Sequence, residues 1–131
     1  MSNALQDAGI EGKDIDYIVA HGTGTPLNDA GETKAVKRTF GESAYDIPMS
    51  SIKSMTGHML GAAGALSAVV VVKSMNEGKV PPTVGLLEPD PACDLDYVPN
   101  EAREVVVNYG MANAFGFGGQ NGSLVFKRWD E

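Results

Sequence analysis

A chain of 131 residues with a net charge of −7 is long enough for one domain with a hydrophobic core, and too acidic for a nucleic-acid surface, which needs concentrated Lys and Arg. At 43% hydrophobic and 21% charged residues it has an ordinary globular composition, with no apolar run that would span a membrane and no basic-then-apolar leader; a cytoplasmic address is expected. Its one cysteine, Cys93, allows no intrachain disulfide, and one Cys with two His is too few for a four-ligand zinc site, so no metal is expected.

In chain order, Ser2 or Asn3 is expected to cap a short helix that ends near Gly9. Asp16 to Ala20 reads as a buried strand that runs into the turn His21-Gly22-Thr23-Gly24-Thr25-Pro26. Asp29 and Glu32 have the spacing of a capping box, and the helix they open should end at Phe40-Gly41. A second strand is expected around Met49 to Ile52, followed by a polar corner from Lys53 to His58. The run from Leu60 to Asn76 is too long for a strand and apolar on nearly all sides, which predicts a buried helix closed by Glu77-Gly78. Pro89, Pro91 and Pro99 make residues 83 to 100 an extended loop. Val105 to Ala112 and Ser123 to Lys127 read as antiparallel strands on either side of a glycine-rich turn. Strand–helix alternation that closes in a hairpin predicts an α/β layered fold with a mixed sheet.

Three glycine-marked corners carry the unusual chemistry. In the first, His21 at a strand end offers a hydrogen bond, the glycines let a ligand approach the backbone, and Thr23 and Thr25 offer hydroxyls to a polar chain. The same residues also suit a structurally satisfied histidine beside a threonine-closed turn. In the second, His58 precedes a helix, whose dipole disfavours imidazolium and favours a neutral donor. Lys53 either orients that histidine or is a surface lysine. In the third, Phe115-Gly116-Phe117-Gly118-Gly119 presents backbone N–H groups and two rings, either as a gate beside an apolar channel or as a plain hairpin with core aromatics. No Gly-Lys-Ser/Thr phosphate loop or spaced Gly-x-Gly-x-x-Gly is present, and nothing near Cys93 would activate its thiol, so Cys93 reads as structural.

Taken together, Ala20-His21-Gly22-Thr23-Gly24-Thr25-Pro26, Lys53-Ser54-Met55-Thr56-Gly57-His58 and Asn113-Ala114-Phe115-Gly116-Phe117-Gly118-Gly119 resemble, in order and interval, the two histidine motifs and the C-terminal loop of β-ketoacyl-acyl carrier protein synthases. The stretch from Pro89 to Asn100 looks closest to the bacterial synthase II type. The resemblance implies the C-terminal half of a thiolase fold over residues 1–131, with the N-terminal half and its nucleophilic cysteine absent. It implies elongation of an acyl chain by decarboxylative condensation with malonyl-acyl carrier protein. His21 and His58 would bond the malonyl thioester carbonyl, with Lys53 holding the His58 network. Thr23 and Thr25 would contact the phosphopantetheine arm, which arrives on the carrier protein, so no resident cofactor is expected. Phe115 would gate the acyl pocket on a loop freed by Gly116 and Gly118, with Phe117 beside it.

Ser67 stands where the family usually has a glutamate, and Gln120 where threonine or histidine is common. The family places the first strand of this half centrally in its sheet and before the helix at which this chain starts. An unpaired sheet, exposed apolar surface and dependence on a complementary polypeptide are therefore expected, with homodimerisation of the complete enzyme. A non-catalytic truncated fragment or interaction partner is the competing reading. A degenerate chain-length-factor-like partner is disfavoured by both histidines and Lys53. An initiating or plant-type enzyme is disfavoured by His58, where those use asparagine.

Overall fold

The computed structural model describes residues 1–129, so the last two residues of the expected 1–131 unit lie outside the described ones. Helix α1 (Ser2–Ala8) ends at Gly9, as the sequence predicts, but its N-cap is Met1 and no side chain caps it. Strand β1 (Tyr17–Val19) follows, then helix α2 (Pro26–Phe40). That helix begins a turn earlier than the Asp29–Glu32 spacing suggests. Thr25 is its cap, accepting from the Asn28 N–H, and Pro26 is its first residue, where a missing N–H costs nothing. Asp29 and Glu32 therefore make no capping box, which frees the Glu32 carboxylate for another task.

β2 (Met49–Ser50) leads into a single helical turn, α3 (Lys53–Thr56), and then into α4 (Ala63–Glu77). Gly78 ends α4 in the left-handed conformation, with φ 63°, which an L side chain adopts only at a cost. The helix is not buried on all sides as predicted. Val71 and Met75 pack inward, while Val69 and Val72 are 53% and 43% exposed, because one helical stripe reaches the sheet and the next turns away from it.

β3 (Lys79–Val80) pairs antiparallel with β4 (Arg103–Glu104). The expected strand over Val105 to Ala112 starts later, as β5 (Tyr109–Phe115), because the Asp16 carboxylate takes the N–H groups of Asn108 and Tyr109 and turns the chain there. β6 (Asn121–Lys127) returns antiparallel to β5 in the register Met111 to Val125, as the hairpin pattern predicts.

The main sheet runs β2-β1-β5-β6, with β1 parallel to both β2 and β5. Ile18 stands beside Met111 and Val19 beside Ala112, so the sheet is continuous where a vacant central position was expected. Its two faces build two cores. Ile18 and Met111 join Leu5, Val36 and Phe40 on the α1/α2 side, and Tyr17, Val19 and Ala112 join Val71 and Met75 on the α4 side. Burial on both faces explains the unbroken apolar reading of β1. The expected apolar exposure is present at Phe117, Leu27, Leu87 and Leu60, all more than three-quarters exposed. No described helix is long and apolar enough to cross a membrane.

Candidate active site

The parallel pair β1 and β2 delivers the first two corners to the same edge of the sheet. His21 follows β1 directly and is buried. Its peptide is held from both sides: the Lys53 Nζ donates to its carbonyl oxygen at 2.6 Å, and its N–H donates to Glu32 Oε1 at 2.9 Å. Gly22, with φ 43°, donates to Glu32 Oε2, while the Ser51 hydroxyl donates to the Gly22 carbonyl. A Cβ on Gly22 would lie 2.4 Å from the Ser51 Cβ, so only glycine lets the two corners close on each other.

His58 is exposed on the far side of α3. Its Nδ1 accepts the Leu60 N–H at 3.1 Å, which leaves the Nε2–H of the neutral ring as the free donor. The His21 and His58 rings meet edge to face with centroids 5.6 Å apart, and the Phe115 ring lies 5.6 Å from His21. The fold thus brings together His21, His58, Lys53 and Phe115 from β1, the α3–α4 corner and the end of β5. Lys53 bonds the His21 backbone rather than His58. Ser67 is fully buried on α4 and lines, with Lys53, a cleft too narrow to admit a water molecule.

The remaining predicted residues lie around this centre. Thr23 and Thr25 face each other with hydroxyls 3.0 Å apart and line an open cavity of about 1030 Å³, whose opposite wall is the loop carrying Leu86 and Cys93. The two histidine rings do not line that cavity, so the first corner has a ring face and a hydroxyl face. Gly116 donates to the Gln120 carbonyl at 2.9 Å and so closes the hairpin tip. Gly118 and Gly119 have φ of 76° and 80°. Phe117 projects fully into solvent at that tip and touches neither histidine. Among the described residues no cluster of His, Cys, Asp or Glu would hold a metal ion.

Charge follows this packing. Burial, reinforced by the Lys53 charge and opposed by Asp29, pushes the His21 imidazole below its ordinary value. Burial lowers Lys53, with Glu32 opposing. Burial raises Glu32 against the hydrogen bonds that Gly22, His21 and Asn113 give it. The His21 Nδ1 is buried and has no hydrogen-bond partner among the described residues. Sequence reasoning missed Glu32, Ser51 and Asn113 as parts of this site. The available signal was Thr25-Pro26, which starts the helix early enough to aim Glu32 back at His21.

The family described as beta-ketoacyl synthase, C-terminal domain, matches residues 1–87. The 3-oxoacyl-[acyl-carrier-protein] synthase 2 of Coxiella burnetii is 56% identical over 98% of this chain, and that of Staphylococcus aureus strain COL is 52% identical over 99%. The chain spans 31% of the length of each. Among solved structures, a type II PKS ketosynthase in complex with its acyl-carrier protein, bound to the hexaketide, superposes with a TM-score of 0.95 at 41% identity over 98% of this chain and 31% of its own. A beta-ketoacyl synthase from Burkholderia phymatum superposes with a TM-score of 0.90 at 46% identity over 97% of this chain and 31% of its own.

Proposed function

Starting from a chain that belongs to the β-ketoacyl synthase family through its C-terminal domain, we propose that it is the histidine-bearing portion of a 3-oxoacyl-acyl carrier protein synthase of the synthase II type. In this reading it acts as an acyltransferase with a complementary, cysteine-bearing N-terminal portion, in the cytoplasm, and the complete enzyme is a homodimer. The observation that carries the reading is the edge-to-face pair of His21 and His58, with the His58 Nδ1 occupied by the Leu60 N–H.

The chemistry follows from that pair. Malonyl thioester bound on its carrier protein has its thioester carbonyl oxygen between two ring N–H donors. As the carboxylate leaves as CO₂, the electron pair of the breaking C–C bond passes into the enolate and places negative charge on that oxygen. Donors already fixed in place stabilise this charge more in the transition state than in the ground state, each worth about 2.7–4 kcal/mol. The enolate carbon then attacks the acyl thioester on the cysteine of the N-terminal portion, forming the C–C bond and expelling the thiolate. Thr23 and Thr25, on the hydroxyl face of the first corner, accept the phosphopantetheine arm, and Phe115 gates the acyl pocket.

The test pairs this chain with a cysteine-bearing N-terminal portion and follows decarboxylation of malonyl-acyl carrier protein. A His58→Ala pair that decarboxylates at the unaltered rate overturns the donor role. The competing reading, a non-catalytic fragment or interaction partner, draws on the His21 and His58 rings lying outside the open cavity that Thr23 and Thr25 line. It predicts no decarboxylation in the pair at all.

A further inference from the structure

Helix α3 is one turn of four residues, and no side chain caps it. A single turn is too short to hold itself in water, so its place has to be set from outside. Every residue from Ser54 to Leu60 is exposed, so packing supplies little of what is needed. His58 stands just beyond this turn, and its Nδ1 takes a hydrogen bond from its own neighbour Leu60.

Two bonds reach this corner from the loop after β3. Thr83 Oγ1 accepts the Ser51 N–H at 3.1 Å, and Ser54 Oγ accepts the Val84 N–H at 2.9 Å. The Ser54 hydroxyl gives its own hydrogen to the Ser51 carbonyl at 2.8 Å. Ser54 thus spends a lone pair on the loop and its proton on the end of β2, which ties the α3 turn to both.

The loop that provides these bonds is closed at its base. The Thr83 N–H donates to the Val98 carbonyl, and the Asn100 N–H donates to the Thr83 carbonyl, so the two limbs of residues 83 to 100 meet at Thr83. Asn100 then brackets the next turn: its Oδ1 accepts the Gly85 N–H at 2.8 Å and its Nδ2 donates to the Leu86 carbonyl at 2.7 Å. Val98, fully buried, and Asn100 have φ of 48° and 59°. A β-branched residue keeps that conformation only where its surroundings over-determine it, so this base is firm enough to hold a neighbour.

From this geometry we infer that Ser54 is a positioning residue for His58: with Thr83 it fastens the α3 turn to the closed base of the 83–100 loop, and so holds the His58 ring in place beside His21. This rests on the reading of His58 as a donor to the thioester. The loop that walls the cavity across from Thr23 and Thr25 then has a second task, as the anchor of the second histidine corner.

The test uses the complex of this chain with the cysteine-bearing portion, with only this chain isotope-labelled, so its two histidines give resolved ring signals. In Ser54→Ala the Val84 amide loses its acceptor and should exchange with solvent roughly three- to tenfold faster, the span of one net hydrogen bond, while that of Ile18 holds. The His58 ring signals should shift, and kcat for decarboxylation should fall about tenfold with KM unchanged. Ser54→Thr, which keeps the hydroxyl, should restore both. Thr83→Val removes the other fastening and should move the same ring signals. Unmoved His58 signals in Ser54→Ala or in Thr83→Val, a raised KM in place of the lowered kcat, or a Ser54→Thr protein no better than Ser54→Ala overturns the inference. Equal acceleration at Ile18 and Val84 would report a general loosening of the fold and overturn it as well. A fully active His58→Ala pair would remove the donor reading and leave the Val84 exchange and the His58 shift in Ser54→Ala untouched.

Discussion

The rings of His21 and His58 stand 81° apart in plane at a centroid distance of 5.6 Å, although their sequence positions belong to different strand–helix units. Both units end at the same edge of the sheet because β1 and β2 run parallel. In the proposed reaction, removing one ring from this pair removes one donor. His58→Ala, in complex with the cysteine-bearing portion, is expected to slow malonyl-acyl carrier protein decarboxylation by about 10²–10³-fold. His58 is exposed and bonds only its own turn, so the thermal midpoint should stay within a degree or two.

Gly22→Ala tests the closure of the two corners. The new Cβ would meet the Ser51 side chain at 2.4 Å in a backbone conformation with φ 43°. Left-handed strain and overpacking together should cost roughly 2–4 kcal/mol by denaturant unfolding. Adding Ser51→Gly should recover the steric part and leave the strain. A Gly22→Ala protein as stable as its parent would show that the corner opens without penalty.

Gly110→Ala tests the packing of β5 under α4. Its Cβ would lie 2.5 Å from the Val71 Cγ1, on a side chain with no exposed surface. The expected loss is about 1–3 kcal/mol, and a double-mutant cycle with Val71→Ala should show coupling of about 1 kcal/mol or more. Additive single effects would place the strain elsewhere.

Acid should weaken the fold through His21. Its folded value is lowered below the ordinary 6.5 by burial, and by the Lys53 charge against Asp29. Between those two values the unfolded chain binds more protons. The stabilisation is therefore present above about 6.5 and is lost as pH falls through the folded value. Glu32, raised by burial, has the opposite sign: its stabilisation is present below its ordinary value of 4.5 and is lost as pH rises through the folded value. The difference in melting temperature between the parent and His21→Gln, followed from pH 7.5 downward, isolates the histidine and should shrink on acidification. A constant difference would refute the assignment.

Much of this site is legible in the sequence because glycines and prolines punctuate it. His21 and His58 stand next to the turns that fix them, and Gly78 and the hairpin are local signals. Glu32 was hidden because Asp-x-x-Glu has one appearance whether it caps a helix or begins its second turn, and Thr25-Pro26 decides between the two. The adjacency of β1 and β5 leaves no local trace, since Tyr17 pairs with Gly110 far along the chain. The late start of β5 depends on Asp16, equally distant in sequence from Asn108. The exposed side of α4 escaped notice because valine has the same hydropathy on either face of a helix.

Phe117 exposes its whole ring, and Leu60 and Leu87 are 78% and 85% exposed. Water ordered around such groups stores heat, so covering them leaves a calorimetric signature that polar contacts do not. Titrating the cysteine-bearing portion into this chain at several temperatures should give an association enthalpy that grows more negative on warming, a negative heat-capacity change. An enthalpy flat with temperature would mean that the hairpin tip and its apolar neighbours stay in water after assembly.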